Sequence, residues 1–330
     1  MIKVNLNKVV YMTNILELSN VFNQYLNDKI TVKAPKNLYE PIHYLLDLGG
    51  KRIRPVLVLL IADLFSNNYQ KALAAAMAVE VFHNFTLMHD DIMDSASLRR
   101  GKQTVHDKWN INTGILSGDA MLIQAYQYIE EYPDSEYREI MKLFNKTALE
   151  VCEGQQYDID FEKEQAVSID DYIEMIRLKT AVLLAASLEI GAIIGHANLE
   201  DRGHIYQFGL NLGLAFQIQD DYLDTFGNEK SFGKKIGGDI LEHKKTYLYI
   251  TAIQNSSLEQ QYQLNKLYKE ADAILKVTNF YIDKKVPEIA QKAIAAYTDM
   301  AFSHVEKLSI SNDKKQVLFD FGINLMNRTV

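Results

Sequence analysis

Cysteine and long apolar runs are both scarce in this sequence. A single cysteine, Cys152, occurs in 330 residues, which excludes a disulfide within the chain and indicates a reducing compartment. We therefore predict a cytoplasmic protein, and the first twenty residues show no secretory signal. The apolar run at 56–62 is too short to cross a bilayer, and the run at 180–197 contains Glu189 and His196. We predict a buried helix at 180–197 rather than a membrane span.

Proline is also rare, with five residues, and none lies between Pro55 and Pro133 or between Pro133 and Pro287. These gaps permit long helices, and the segments within them are rich in strong helix formers and show no sustained strand-type alternation. We predict an all-α fold, a single large helical bundle that surrounds a deep central cavity, and one domain over residues 1–330. The predicted helices are 11–30, 37–47, 55–66, 69–94, 114–131, 135–158, 169–178, 180–196, 200–225, 240–254, 258–280, 287–307 and 312–326.

The net charge of −8 argues against a protein that binds a polyanion such as DNA over its surface. An anionic ligand would need a local cluster of basic residues or bound metal ions.

Two aspartate clusters share the spacing D-D-x-x-D, which is improbable twice by chance in one chain. They are DDIMD (Asp90, Asp91, Asp94) and DDYLD (Asp220, Asp221, Asp224). On a helix the first and last aspartates of each cluster lie on one face, where like charges repel. Mg²⁺ is the natural partner, since it prefers oxygen ligands and commonly takes one or two carboxylates plus phosphate oxygens. The simpler interpretation is two solvated acidic helix ends.

Basic residues accompany these clusters. GGKRIRP (49–55) contains Lys51, Arg52 and Arg54, whereas Arg99 and Arg100 follow the first aspartate cluster and His83 lies seven residues before Asp90. Each of these features alone is typical of a surface turn, a helix end or a core histidine. Together they indicate a phosphate-binding site.

The combination resembles the trans-isoprenyl diphosphate synthases of the farnesyl and geranylgeranyl type. The matching motifs occur in the family's order over roughly residues 37–250: GGKRIRP, EVFHNFTLMHDDIMDSASLRRG, LKT (178–180), FQIQDDYLD (216–224), FGK (232–234) and HKKT (243–246). Two small departures are Ala181, where the family often has glycine, and HKKT in place of GKKT.

The resemblance implies a role for each motif. Residues expected to bind isopentenyl diphosphate are Lys51, Arg54, His83 and Arg100. Expected magnesium ligands are Asp90, Asp94 and Asp220, with Asp91 and Asp224 acting through waters or from behind the direct ligands. All of these aspartates and Asp221, together with Arg99 and Lys179, are expected to be catalytic residues. Residues expected to hold the allylic diphosphate are Arg99, Lys179, Thr180, Gln217, Lys234 and Lys244. It also implies three Mg²⁺ ions with diphosphate bound, and a homodimer.

The implied reaction is a head-to-tail condensation that joins an allylic diphosphate to isopentenyl diphosphate and releases pyrophosphate. A class I terpene cyclase is an alternative, although it has no second diphosphate and would need no counterpart to Lys51, Arg54 and Arg100. A non-catalytic partner subunit of a prenyl synthase is another, although such a chain would be expected to lose aspartates from one cluster.

Product length is predicted from the residues before the first aspartate cluster. Phe85 lies five residues before Asp90, about 7–8 Å along a helix, and could close the floor of a tunnel for the growing chain. Thr86 is small, and the resemblance associates bulk at the fifth position alone with intermediate length. We therefore predict geranylgeranyl diphosphate, with farnesyl diphosphate as second choice; alternatively, Phe85 is ordinary core. The glycine-rich segment 226–239 is predicted to close over bound diphosphate.

Overall fold

Helices account for nearly all of the regular structure in this computed structural model, which describes residues 6–164, 166–227 and 236–327, with side chains from residue 15 onward. The helices are α1 (Leu6–Lys29), α2 (Lys36–Asp47), α3 (Ile53–Ser66), α4 (Leu73–Met93), α5 (Val105–Lys108), α6 (Ile111–Ile129), α7 (Asp134–Lys163), α8 (Ile169–Ile176), α9 (Val182–Ile194), α10 (Leu199–Phe226), α11 (Gly238–Leu241), α12 (Tyr247–Gln254), α13 (Leu258–Leu267), α14 (Ala273–Asp283), α15 (Val286–Glu306) and α16 (Asn312–Met326). A 3₁₀ turn at Tyr69–Ala72 precedes α4, and a π turn at Arg177–Ala181 joins α8 to α9.

The chain divides into two compact units. Unit 1 comprises Met1–Phe144 and Ser187–Arg202, and unit 2 comprises Asn145–Ala186 and Gly203–Val330. A division by packing does not show that either unit folds alone, so one domain over 1–330 stays a prediction.

Unit 1 is built around α3 and α4, whose side chains are buried on almost every side. Helix α4 packs against α6, where small residues allow a close approach. At Gly118 of α6, a Cβ atom would lie 2.2 Å from Nε2 of His89, so the imidazole occupies the space that any larger residue would need. Helix α9 is buried as predicted, and no helix in the described residues is long and apolar enough to span a membrane.

A two-stranded antiparallel ribbon in unit 1 is the one departure from helical structure within the described residues. Its strands are β1 (Leu98–Arg99) and β2 (Lys102–Gln103), and the turn uses left-handed φ values of 53° at Arg100 and 74° at Gly101. Such a turn matches the twist of a two-residue hairpin. Our sequence prediction missed the ribbon because two-residue strands are too short to produce an alternating pattern.

Side chains from outside the ribbon hold it in place. The Tyr44 hydroxyl of α2 donates to the Gln103 carbonyl at 2.8 Å. The Lys108 ammonium lies 3.7 Å from the centre of the Tyr44 ring and 4.8 Å from that of Trp109. These contacts fix the ribbon that carries Arg99 and Arg100.

The structure corrects four predicted helices that lie wholly or partly in unit 2. The predicted helices 169–178 and 180–196 are one run joined by the π turn, rather than two separated helices. The predicted helix 240–254 is broken, because His243 adopts a left-handed φ of 56° and the Thr246 hydroxyl then caps α12 by accepting from the Tyr249 amide at 3.4 Å.

The predicted helix 258–280 is also interrupted. It ends at Leu267, where the amides of Lys269 and Glu270 turn back to carbonyls three residues earlier. The next helix begins at Ala273, and the Asp272 carboxylate before it pairs with Lys276 at 2.9 Å. A short aspartate side chain that bonds locally favours such a helix boundary over a helix interior.

Candidate active site

The first aspartate cluster lies at the C-terminal end of α4. Asp91 is buried and receives two hydrogen bonds from Arg99, through Nε and Nη2, both at 2.7 Å. Asp90 is only partly buried and lies 3.7 Å from the same guanidinium, whereas Asp94 is exposed just past the helix end. Within one motif, therefore, the middle carboxylate anchors an arginine and the outer two face more open space.

The basic cluster of unit 1 forms around His83. The Arg54 guanidinium lies 3.2 Å from the His83 Nε2 atom. Burial, together with the positive charges of Arg54, Arg100, Arg99 and Arg52, holds the pKa of His83 well below its usual value. His83 is therefore neutral, and the cationic character of this region comes from the arginines. That concentration of positive charge suits an anionic group such as a diphosphate.

A buried ion pair between Arg52 and Glu80 adjoins this cluster. Arg52, held at a left-handed φ of 48°, bonds to the Glu80 carboxylate and to the Leu46 carbonyl. The Asn84 amide also donates to Glu80 Oε1 at 2.8 Å. Sequence analysis did not single out Glu80 or Asn84, although both lie in the EVFHNF segment, where a charged residue within an apolar run is the available signal.

The loop before α3 lies next to Arg100 of the ribbon. At Gly50, with φ of 135°, a Cβ atom would lie 2.7–2.9 Å from the Arg100 guanidinium. A side chain at this position would displace the arginine, and the φ value itself favours glycine. The structure thus gathers Arg54, His83 and Arg100 in unit 1, with Lys51 exposed on the loop before α3. That they bind isopentenyl diphosphate stays a prediction.

The second aspartate cluster lies near the C-terminal end of α10 in unit 2. Asp221 is buried and accepts hydrogen bonds from the Tyr172 hydroxyl and from the Tyr247 amide, the latter at 3.0 Å. Burial and the neighbouring charge of Asp239 raise the pKa of Asp221 to about 8. Asp224 is buried as well, and it accepts the Asp239 amide at 3.0 Å.

Asp220 differs from its two neighbours because it is only partly buried and lines a cavity of about 500 Å³ in unit 2. Lys179, Thr180, Gln217 and Lys244 also line this cavity. These are four of the residues predicted to hold the allylic diphosphate. Lys234, the fifth that sequence analysis would place here, lies outside the described residues, as do positions 228–235 of the segment predicted to close.

Contacts made by Lys179, Thr180 and Lys245 order the cavity wall. The Lys179 ammonium lies 2.5 Å from the Asp158 carboxylate of α7, and the Thr180 hydroxyl donates to the Gln217 side chain at 3.3 Å. Lys245 bonds to the Phe161 carbonyl and, at 3.1 Å, to the Glu162 carbonyl at the end of α7.

Several residues of this cavity were missed from sequence. Asp158 and Tyr172 lie far from the aspartate motifs in the chain, and isolated residues of these types carry no spacing signal. Asp239 and Lys245 lie within the segment 226–239 and the HKKT motif, but neither was singled out. The stretch GQQYD (154–158) offers one cue, because a glycine within a helix weakens the helix unless a close approach requires it.

The arrangement of the carboxylates suits a Mg²⁺ ion that is coordinated partly by the protein and partly by the phosphate oxygens of a bound ligand. Within the ranges the structure describes, no group of three or more acidic, histidine or cysteine side chains could enclose a metal ion. Mg²⁺ commonly uses one or two protein carboxylates and completes its shell with waters and phosphate oxygens. Asp90 and Asp94 in unit 1 and Asp220 in unit 2 have the exposure that such a role requires.

Phe85 and Thr86, predicted to set product length, lie on α4. The Phe85 ring is buried and packs edge-on against His89 at 4.8 Å and tilted against Phe82 at 5.6 Å. The Thr86 hydroxyl donates to the His83 carbonyl at 2.8 Å. The aromatic packing holds Phe85 in one position, as a tunnel floor or a core residue would both require.

Comparisons with known proteins identify the family. A polyprenyl synthetase model matches residues 35–282. The chain is 40% identical to a geranylgeranyl diphosphate synthase of Methanosarcina mazei, over 69% of this chain and 71% of that protein. It is 32% identical to a geranylfarnesyl diphosphate synthase of Natronomonas pharaonis, over 96% of this chain and 97% of that protein.

A crystal structure of a geranylgeranyl pyrophosphate synthase superposes with a TM-score of 0.91 at 46% identity, covering 96% of this chain and 99% of that chain. The predicted all-α fold and the resemblance to trans-isoprenyl diphosphate synthases are thereby confirmed. The chain belongs to the polyprenyl synthetase family of prenyltransferases.

Proposed function

We propose that this prenyltransferase condenses isopentenyl diphosphate with an allylic diphosphate, in a magnesium-dependent reaction that yields geranylgeranyl diphosphate. The observation that carries the proposal is the presence of two separate sets of diphosphate-binding groups. Unit 1 has the arginine cluster around the neutral His83, and unit 2 has the cavity lined by Lys179, Lys244 and Asp220. Two sets of groups suit two diphosphate substrates, whereas a terpene cyclase binds only one diphosphate substrate.

The roles of the residues follow from their surroundings. Arg54, Arg100 and Lys51 bind the phosphate oxygens of isopentenyl diphosphate, and His83 orients Arg54. Lys179, Thr180 and Gln217 hold the allylic diphosphate in the cavity of unit 2, with Lys244 beside them. In unit 1, Arg99 is a further residue that the family resemblance implies for this substrate.

Magnesium bound by Asp90 and Asp94 in unit 1, and by Asp220 in unit 2, would neutralise charge on phosphate oxygens. The family resemblance supports three ions. The Asp91 carboxylate holds the Arg99 guanidinium, Asp221 accepts from the Tyr172 hydroxyl and the Tyr247 amide, and Asp224 accepts from the Asp239 amide.

Phe85 supports the twenty-carbon product. It lies five residues before Asp90, and a buried ring at that distance suits a floor beneath a chain of intermediate length. The relatives include geranylgeranyl and geranylfarnesyl diphosphate synthases, and the first of these names supports the twenty-carbon product. Farnesyl diphosphate is the second candidate.

A homodimer is part of the proposal. Helix α6 exposes large apolar side chains at Ile111, Ile115, Leu116 and Ile123, with exposed fractions between 41% and 60%. An exposed apolar row on a helix is typical of an interface between chains. Sedimentation of the purified protein at micromolar concentration tests this, and a single species at 37.8 kDa would contradict it.

The decisive experiment measures pyrophosphate release and analyses products with dimethylallyl, geranyl and farnesyl diphosphate as starters. We expect release to require Mg²⁺, isopentenyl diphosphate and one allylic starter together, with geranylgeranyl diphosphate as the final product. Release from an allylic diphosphate alone would identify a cyclase instead. No release under any combination would contradict prenyl transfer itself.

A further inference from the structure

The π turn at Arg177–Ala181 places three consecutive residues against three different partners. Lys179 reaches Asp158 on α7 at 2.5 Å, and the Thr180 hydroxyl donates to Gln217 on α10 at 3.3 Å. Ala181 packs against Gly213 of α10. All of these residues belong to unit 2, and both Lys179 and Thr180 line its cavity.

A π turn inserts an extra residue into a helix and is seldom stable without support from its surroundings. Here it redirects the side chains that follow α8, so that Lys179 and Thr180 both face the cavity while Leu178 and Ala181 are buried. A regular α-helical turn would rotate these positions relative to one another. The turn itself is therefore part of how the cavity is lined.

Two glycines provide the space in which this turn fits. At Gly154 of α7, a Cβ atom would lie 2.2 Å from the Lys179 amide nitrogen and 2.6 Å from its Cα. At Gly213, a Cβ atom would lie 2.8 Å from the Ala181 Cα. Most of these neighbours are backbone atoms, which cannot rotate away as the end of a side chain can.

Each glycine also has a cost. A glycine in the middle of a helix destabilises it relative to alanine, because the unfolded chain has more freedom to lose. Gly154 and Gly213 both lie within long helices, and close approach to the π turn explains why alanine does not replace them.

We propose that Gly154 and Gly213 are positioning residues for the diphosphate cavity. By admitting the π turn, they direct Lys179 and Thr180 towards the bound allylic diphosphate. This inference rests on the proposed function, in that the cavity of unit 2 takes the allylic substrate.

The first test is Gly154→Ala, with Gly203→Ala as a matched control. Gly203 lies on α10, the same helix as Gly213, but a Cβ atom there would meet no neighbour within 4 Å. Since a misplacement of about 1 Å can cost on the order of 100-fold in rate, we expect Gly154→Ala to lower kcat/KM for the allylic diphosphate by 10- to 100-fold. The KM for isopentenyl diphosphate and the activity of Gly203→Ala should stay at wild-type values.

A double-mutant cycle separates positioning from general damage. If Gly154 acts through Lys179, then adding Gly154→Ala to a Lys179→Met variant should cost about threefold or less, because the interaction it serves is already lost. Losses that multiply in the double variant, or an equal rise in both KM values, would overturn the proposal. If Gly154→Ala does not fold, Gly213→Ala is measured in the same cycle, since its clash involves fewer backbone atoms.

Calorimetric binding of inorganic pyrophosphate with Mg²⁺ provides a readout that does not depend on turnover. We expect Gly154→Ala to weaken this binding at least tenfold, and Gly203→Ala to leave it unchanged. An inactive wild-type protein that binds pyrophosphate in this manner would defeat the proposed function but retain the role of the glycines. An active wild-type protein whose Gly154→Ala variant binds pyrophosphate normally would defeat the inference alone.

Discussion

The Arg54 guanidinium lies 3.2 Å from Nε2 of His83, and this contact determines which ring nitrogen carries the proton. A guanidinium group can only donate hydrogen bonds, so Nε2 must accept and the proton must reside on Nδ1. The depressed pKa of His83, caused by burial and the surrounding arginines, agrees with a neutral ring. His83 thus contributes an acceptor that aims Arg54, rather than a positive charge.

We therefore expect His83→Gln to be tolerated better than His83→Leu. A glutamine oxygen can accept from Arg54, whereas leucine leaves a buried guanidinium donor unpaired, at a cost of about 1–3 kcal/mol. The KM for isopentenyl diphosphate should rise about tenfold or more in His83→Leu and by a small factor in His83→Gln. Equal KM values in the two variants would show that the contact does not orient Arg54.

The depressed pKa also predicts a pH dependence of stability. In the unfolded chain the histidine pKa is about 6.5, so the unfolded state takes up a proton as the pH falls below that value, while buried His83 does not. The stabilising contribution is therefore complete above about pH 6.5 and is lost as the pH falls. Comparing urea unfolding of the wild type and His83→Gln from pH 7.5 to 5.5 should show a smaller loss of stability in the variant. Parallel curves would contradict the assignment.

Within the second aspartate cluster, substitutions of adjacent residues should cause different defects, one in stability and one in turnover. Asp221→Ala leaves the Tyr172 hydroxyl and the Tyr247 amide without their acceptor, so the free energy of unfolding should fall by about 1–3 kcal/mol. Asp220→Ala should leave stability within about 0.5 kcal/mol of wild type, because the residue is partly exposed, and lower turnover by orders of magnitude.

Asp90→Ala in the first cluster should behave like Asp220→Ala. Denaturant unfolding and steady-state turnover measured on the same preparations separate the two kinds of defect. Near-normal turnover in purified Asp220→Ala or Asp90→Ala would refute the metal role.

Phe85→Ala tests the assignment of product length. If the ring forms the floor, the variant should make products longer than the wild type from the same substrates, as measured by chromatography of the dephosphorylated alcohols. Phe319→Ala is a suitable control, because Phe319 packs against Phe302 in unit 2 and belongs to no predicted site. An active Phe85→Ala variant with an unchanged product distribution would mean that the floor lies elsewhere.

Sequence reasoning identified the aspartate and arginine motifs because their chemistry depends on several charged residues at fixed spacing. It also identified the helical class, since the scarcity of proline leaves long helices uninterrupted. The breaks at His243 and at 268–272 were missed because both occur in segments whose composition favours helix, and local bonding and backbone conformation decide the outcome there.

The residues that support the site could not be predicted from the sequence, for a different reason. Glu80, Asp158 and Tyr172 acquire their roles only when the fold brings them to Arg52, Lys179 and Asp221, which are 21 to 49 positions away in the chain. The π turn was likewise not predictable, because the space that it occupies is provided by Gly154 and Gly213 on other helices.

Trp109 is the one tryptophan in the sequence. It stands edge-on to Tyr44 at 5.3 Å, beside the lysine that covers both rings, and Tyr44 in turn holds the ribbon that carries Arg99 and Arg100. Its fluorescence therefore originates from one known place, with no competing emitter of the same kind anywhere in the chain. The protein carries its own optical probe next to the tyrosine that holds the ribbon, so ligand titrations at Arg99 and Arg100 need neither a label nor an engineered reporter.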